Sequence, residues 1–249
     1  MYKLSRQIIP RHLRLSLSQK RFLSEAPDQE NDNDVRTRVL LASLKFVPQH
    51  GWTTTSLAEG AKSVGLPSTA HGLFPKGGID LIHGFYAHCN QDLVNHLKTE
   101  KEIVQKNMTS FIRDAVEYRL RLNSPFIGNW PNAMAKMALP QNAPESLKLL
   151  AQLCDDIWYE AGDKSTDINW YTKRGLLAAV YKSSEFYMIQ DTSEDFNATW
   201  KFLDRRLKDL STVGKFIRDT GNMGEQSVDN FFALFEVFKN TIGFNSKRR

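Results

Sequence analysis

No uninterrupted apolar run in this chain exceeds six residues, Leu176 to Tyr181. A bilayer-spanning helix needs roughly 20, so the sequence holds none. Two cysteines in 249 residues exclude a disulfide scaffold. Catalytic signatures are also missing. There is no G-x-S-x-G elbow and no dinucleotide fingerprint. Gly162-Asp163-Lys164-Ser165 lacks the spacing of a phosphate loop. His83, His88 and His96 sit five and eight residues apart on one helical stretch, a spacing that does not converge on a metal. A di-iron bundle needs paired Glu-x-x-His motifs, and the nearest approach is the solitary Asp80-x-x-His83. The expectation is a chain that is not an enzyme and carries no metal or cofactor. Cys89 and Cys154 lie on apolar stripes and read as buried, reduced thiols.

Acid is absent too, locally. None precedes Glu25, while residues 1–23 hold Lys3, Arg6, Arg11, Arg14, Lys20 and Arg21 with interleaved serines and leucines. No apolar core of seven residues accompanies them, which sets aside a secretory signal. An arginine- and serine-rich, acid-free amphipathic leader is the pattern of a mitochondrial transit peptide, expected over 1–23 with Arg21-Phe22-Leu23-Ser24 resembling a matrix-protease site. The formal net charge of +5 then changes meaning. Beyond residue 23 there are 27 basic and 28 acidic residues, and without Lys247, Arg248 and Arg249 the remainder is about −4. The basic pI of about 9.1 reports an address and not a nucleic-acid partner. Residues 24–34, with five acids from Glu25 to Asp34, read as a solvated linker.

From Val35 onward, apolar residues recur at spacings of three and four, with no period-2 alternation of useful length. The fold class is all-α, with nine or ten helices. Leu40, Leu44 and Val47 give a first helix ending near Pro48. Ser56-x-x-Glu59 reads as a capping box opening a second that stops at Gly65. Ile82, Tyr86, Cys89, Leu93 and Leu97 form a long stripe, and Phe111, Ala115, Tyr118 and Leu122 another. Pro144 opens a helix with Leu147, Leu150, Cys154, Ile157 and Trp158, closed by Gly162. The next runs to about Gln190, and Phe196, Trp200, Leu203, Leu207 and Leu210 mark one more.

Gly51-Trp52 before a threonine run, then Leu57, Gly60-Ala61, Val64-Gly65-Leu66-Pro67-Ser68, Phe74-x-Lys76 and Leu81-Ile82 together resemble the helix-turn-helix domain of tetracycline-repressor-type regulators. In that pattern Gly65 takes the turn and Ala61 permits close helix approach. The resemblance implies a TetR-like bundle: a helix-turn-helix-like domain over 35–97, and a helical ligand-binding and dimerisation domain over 98–210. DNA chemistry is nevertheless missing. The presumed reading helix, Ser68 to Phe74, offers no cation besides His71, and Lys62 and Lys76 cancel Glu59 and Asp80. A neutral face lacks the counterion release behind DNA affinity. A ligand-responsive DNA regulator stays as the alternative reading.

The segment 155–207, and above all Ser165-Thr166-Asp167 with Asn169-Trp170-Tyr171, resembles the mitochondrial lipid-binding accessory family of coenzyme Q biosynthesis, over about 35–245. That resemblance implies a dimer, peripheral on the matrix side of the inner membrane. It binds ubiquinone precursors and phospholipids and presents them to a di-iron hydroxylase. It also implies that Asp167, Asn169, Trp170 and Tyr171 form the hydroxylase-binding surface; the residues alone favour a capping turn with Trp170 in the core. Arg174 suits either a lipid phosphate or an ion pair. Trp130, Met134, Met137, Phe186 and Met188 suit a pocket for flexible chains or an ordinary core. Within 211–249, Phe231, Phe235, Phe238 and Ile242 share one helical face ahead of a basic tail, an amphipathic element for a membrane interface or for a core or dimer contact.

Overall fold

The computed structural model describes residues 32–103, 107–163 and 168–219. Every regular element among them is helical. Helices α1 (Asp32–Ser43), α2 (Val47–His50), α3 (Thr54–Ser63) and α4 (Gly78–Ile103) are followed by α5 (Met108–Arg121), α6 (Trp130–Met137) and α7 (Ala143–Glu160). Helices α8 (Ile168–Gln190) and α9 (Asn197–Asp219) complete the set. The expected transit peptide and the face carrying Phe231, Phe235, Phe238 and Ile242 lie outside the described residues.

Helix α4 is the axis. Its stripe Ile82, Tyr86, Cys89, Leu93 and Leu97 is buried throughout, and the helix packs against α1, α3, α5, α6 and α7. It runs past position 97, so the expected division between 35–97 and 98–210 falls inside one helix. A single apolar cluster extends from Val39 on α1 to Leu207 on α9. The first turn of α1 likewise takes in residues 32–34, which the charge pattern assigned to the linker.

Boundaries follow local chemistry, with two corrections. Helix α3 is capped by Thr53, whose Oγ1 accepts from the Ser56 N–H at 3.4 Å. Ser56 is inside the helix, donating to the Gly51 carbonyl at 2.6 Å. Ala61, next to the Gly65 turn, is fully buried, and on the α1 side Gly60 permits close approach: a Cβ there would lie 2.0 Å from Ser43 Oγ. Gly65 turns the chain at φ +81° and Gly162 at φ +85°, a region that glycine enters without strain. Pro144 stands in the first turn of α7, where its missing N–H costs nothing. The stretch Ser68–Leu73 is a 3-10 turn of six residues and not an α-helix.

Trp52, Phe85, Phe126 and Trp130 meet edge-on or tilted, with centroids 5.1–5.7 Å apart. This aromatic knot fastens the α2–α3 corner to α4 and α6.

Candidate functional site

Helix α8 carries two apolar stripes. Leu177, Tyr181, Ser184 and Met188 fall at steps of four, three and four and are buried in the core. Lys182, Phe186, Ile189 and Gln190, about 150° away around the helix, line a cavity of about 460 Å³. Helix α7 shows the same division. Ala143, Ser146, Leu147 and Leu150 face the cavity, whereas Leu149, Leu153 and Ile157 enter the core. Helix α6 adds Pro131, Met134 and Met137, and α4 adds Tyr86. Leu147 is 59% exposed and marks the open mouth. The volume is that of a small-molecule site, and the walls are almost wholly aliphatic, thioether or aromatic.

Of the expected lining residues, Met134, Met137 and Phe186 are there. Trp130 and Met188 are not. Trp130 is fully buried, and its Nε1 donates to Glu185 at 3.0 Å. Met188 is two positions from Phe186, so the two point to opposite sides of α8. The sequence reading missed Tyr86, Ser146, Leu147 and Lys182. The Lys182-x-x-Glu185 pair directly after the apolar run was the one available signal.

A polar layer backs the cavity. Lys182 pairs with Glu185, whose buried carboxylate also accepts from Asn123 Nδ2 at 3.3 Å. Arg119, fully buried, donates to Asn90 and Asn123 at 3.0 Å each and lies 4.4 Å above the Tyr86 ring. Burial pushes the Tyr86 phenol well above its ordinary pKa, so it remains protonated. Its hydroxyl is enclosed in this layer beside that of Tyr181.

The second region is the corner between α7 and α8. Arg174 donates from Nε to Asp155 at 2.7 Å and from Nη1 to Asp163 at 3.1 Å. Its guanidinium is 4.2 Å from the Trp170 ring, and Nη1 also reaches the Trp170 carbonyl at 3.3 Å. It does not line the cavity. Of the two roles considered for Arg174, the ion pair is present, with carboxylates on Nε and Nη1. Trp170 is half-buried and meets Tyr171 edge-on at 4.7 Å; Tyr171 is 73% exposed. Asp167 and the side chain of Asn169 lie outside the described residues.

At the helix-turn-helix-like segment, the reading position is the 3-10 turn, where the His71 ring nitrogen is engaged with the Ser68 carbonyl at 2.7 Å. A six-residue turn of about 12 Å offers no helix to a major groove. No group of three or more His, Cys, Asp or Glu suited to a metal occurs among the described residues.

A family model described as COQ9 matches residues 143–214, and one described as the N-terminal domain of ubiquinone biosynthesis protein COQ9 matches residues 32–62. The chain is 43% identical over 230 residues to the mitochondrial ubiquinone biosynthesis protein COQ9 of Homo sapiens, covering 90% of this chain and 72% of the relative. With its counterpart in Xenopus tropicalis it shares 41% over 230 residues, 90% of this chain and 73% of the relative. With that of Drosophila melanogaster the figure is 35% over 234 residues, 90% and 72%.

Proposed function

The chain belongs to the COQ9 family of ubiquinone biosynthesis proteins, and from that premise we propose that it acts as a lipid-binding accessory protein and not as a catalyst. The observation that carries this reading is the cavity of about 460 Å³ between α4, α6, α7 and α8. Met134, Met137 and Phe186 give it adaptable, polarisable walls suited to an isoprenoid or acyl chain, and Leu147 at its mouth leaves it open to a bilayer or a partner. Ubiquinone precursors and phospholipids are the ligands proposed.

The relatives are named as mitochondrial, and the acid-free leader of residues 1–23 fits import into that compartment. Peripheral attachment to the matrix face of the inner membrane would fall to the Phe231, Phe235, Phe238 and Ile242 face. Tyr171, with Trp170 held over Arg174, is the surface proposed to meet the di-iron hydroxylase of the pathway, with Asp167 and Asn169 beside it. Exposed aromatics flanked by an arginine are the composition of a binding hot spot. Dimerisation through the helical half belongs to the same proposal.

Native mass spectrometry of the purified full chain, with lipid extraction, tests the central claim. Co-purified isoprenoid or phospholipid in stoichiometric amount is the expected result. A protein that emerges empty, and stays empty after incubation with a short-chain ubiquinone, would refute it.

A further inference from the structure

The corner between α7 and α8 is tied together from both helices. Gly162, at φ +85°, closes α7: its N–H donates to the Tyr159 carbonyl and the Asp163 N–H to the Trp158 carbonyl, each at 3.0 Å. That cap fixes the backbone of Asp163. The Asp163 side chain is 5% exposed, and its carboxylate accepts from Lys173 Nζ at 2.6 Å and Arg174 Nη1 at 3.1 Å. Lys173 is itself anchored to α7, because Trp158 Nε1 donates to its carbonyl at 3.1 Å and its ammonium lies 5.5 Å from the Trp158 ring. A second carboxylate, Asp155, stands 2.7 Å from Arg174 Nε. The guanidinium is thereby set from α7. Against it, 4.2 Å away, rests the Trp170 ring, one turn back on α8. Tyr171, 73% exposed, leans edge-on against Trp170 at 4.7 Å. Buried ion pairs are weak evidence for stability; what this one fixes is the plane on which Trp170 rests.

Resting on the hydroxylase-docking reading above, we infer that Arg174 is a positioning residue for that encounter. It acts on Trp170 and not on the partner, ordering the Trp170–Tyr171 pair beforehand in the arrangement that the hydroxylase meets. An apolar neighbour could pack against Trp170 without fixing its angle. The guanidinium does fix it, being planar, suited to stacking on a ring face, and keyed to two carboxylates by directional bonds. Lysine keeps the charge and loses both the plane and the fork. Side chains ordered in advance have no rotamer freedom left to lose on binding. An aromatic pair that must order at the encounter binds about tenfold more weakly.

The test is a double-mutant cycle on the full chain, read as affinity for the purified hydroxylase. Arg174→Lys should weaken capture about tenfold. Trp170→Leu, which removes the ring, should weaken it further. The two substitutions together should match Trp170→Leu alone, because a residue that acts through the ring then has nothing left to position. Asp155→Asn loosens the same clamp at a side chain that is 48% exposed. It should give a smaller loss that likewise vanishes in the Trp170→Leu background, and it carries the test if Arg174→Lys fails to fold. Arg113→Lys makes the same exchange in the ion pair with Asp204 between α5 and α9 and should leave capture as it was. Additive losses would show that Arg174 meets the hydroxylase directly or merely holds the fold. Full capture by Arg174→Lys, with Trp170→Leu impaired, would show that the ring needs no support. Either result overturns the positioning role. If the unaltered chain captures no hydroxylase, or Trp170→Leu captures it as well as the parent, the docking reading itself falls, and the positioning role with it.

Discussion

Gly60 sets the distance between α1 and α3. An added Cβ would stand 2.0 Å from Ser43 Oγ and 2.6 Å from Ser43 Cα, and because Cα is backbone, rotating a side chain cannot relieve the overlap. Gly60→Ala should therefore destabilise the chain by about 2–3 kcal/mol, read as a lower urea midpoint at unchanged slope. A variant as stable as the parent would mean that the two helices slide apart freely. The cysteines illustrate burial acting on chemistry. It pushes the Cys89 thiol up to about 11 and that of Cys154 to about 12. The reactive thiolate is then scarce at neutral pH. At pH 8 an aromatic disulfide reagent should label neither thiol in the native protein and both after unfolding. Prompt labelling of the native chain would show that one of these sites opens readily.

The link between α8 and α9 is the most strained element among the described residues. Asp195 and Phe196 adopt φ of 51° and 57°, left-handed values that cost non-glycine residues energy. The turn is held by Arg121, which grips Asp195 with two hydrogen bonds of 2.8 and 2.9 Å and lies 4.6 Å over the Trp200 ring. Trp200 Nε1 adds a bond to the Asp195 carbonyl at 2.8 Å. Hydrogen bonding from Arg121 lowers the Asp195 pKa, so the pair stabilises the fold above the unfolded carboxylate's pKa of about 3.9. That contribution is lost as pH falls through the lower, folded value. Asn tolerates the same backbone, so Asp195→Asn removes only the charge. The variant should be less stable at pH 7 by under about 1 kcal/mol, since the pair is largely exposed. The gap should narrow as pH falls below about 3.9 and vanish once the folded carboxylate is protonated; a gap independent of pH would exclude the ion pair as its cause. This turn was not legible from the residues, and the cavity was so only in part, through Met134, Met137 and Phe186. Helix α4, the Pro144 start of α7, the Gly162 stop and the α8 end at Gln190 were, because each depends on periodicity or a single cap. Thr53 and Ser56 both offer a hydroxyl, and only the backbone decides which one caps α3. The cavity joins Tyr86 to Phe186 across 100 positions, a contact that no local pattern encodes. Met188 looked as suitable as Phe186 until α8 assigned them to opposite faces.

At the scale of the whole molecule, α8 is the shared strut of the two proposed activities. Trp170 lies in its first turn and Phe186 near its last, 16 residues or about 24 Å apart. The first is fixed by Arg174 and its two carboxylates, and the second lines the cavity together with residues of α6 and α7. No residue is common to the Arg174 cluster and the cavity wall, so damage at one end should leave the other intact. Trp170→Lys places a cation beside Arg174 on a half-exposed surface. It should abolish hydroxylase capture and lower cellular ubiquinone, while co-purified lipid and the melting temperature stay near those of the parent. Phe186→Glu puts a carboxylate into the apolar wall, where an unpaired charge is strongly disfavoured. It should empty the cavity, by lipid extraction and native mass spectrometry, yet still retain the hydroxylase in a pull-down. Both variants lower ubiquinone for different reasons, which is why the two binding measurements matter more than the shared phenotype. If Trp170→Lys also strips the lipid, or Phe186→Glu also releases the hydroxylase, the two ends of α8 form one site. Lipid loading and partner docking would then be a single coupled event transmitted along the helix.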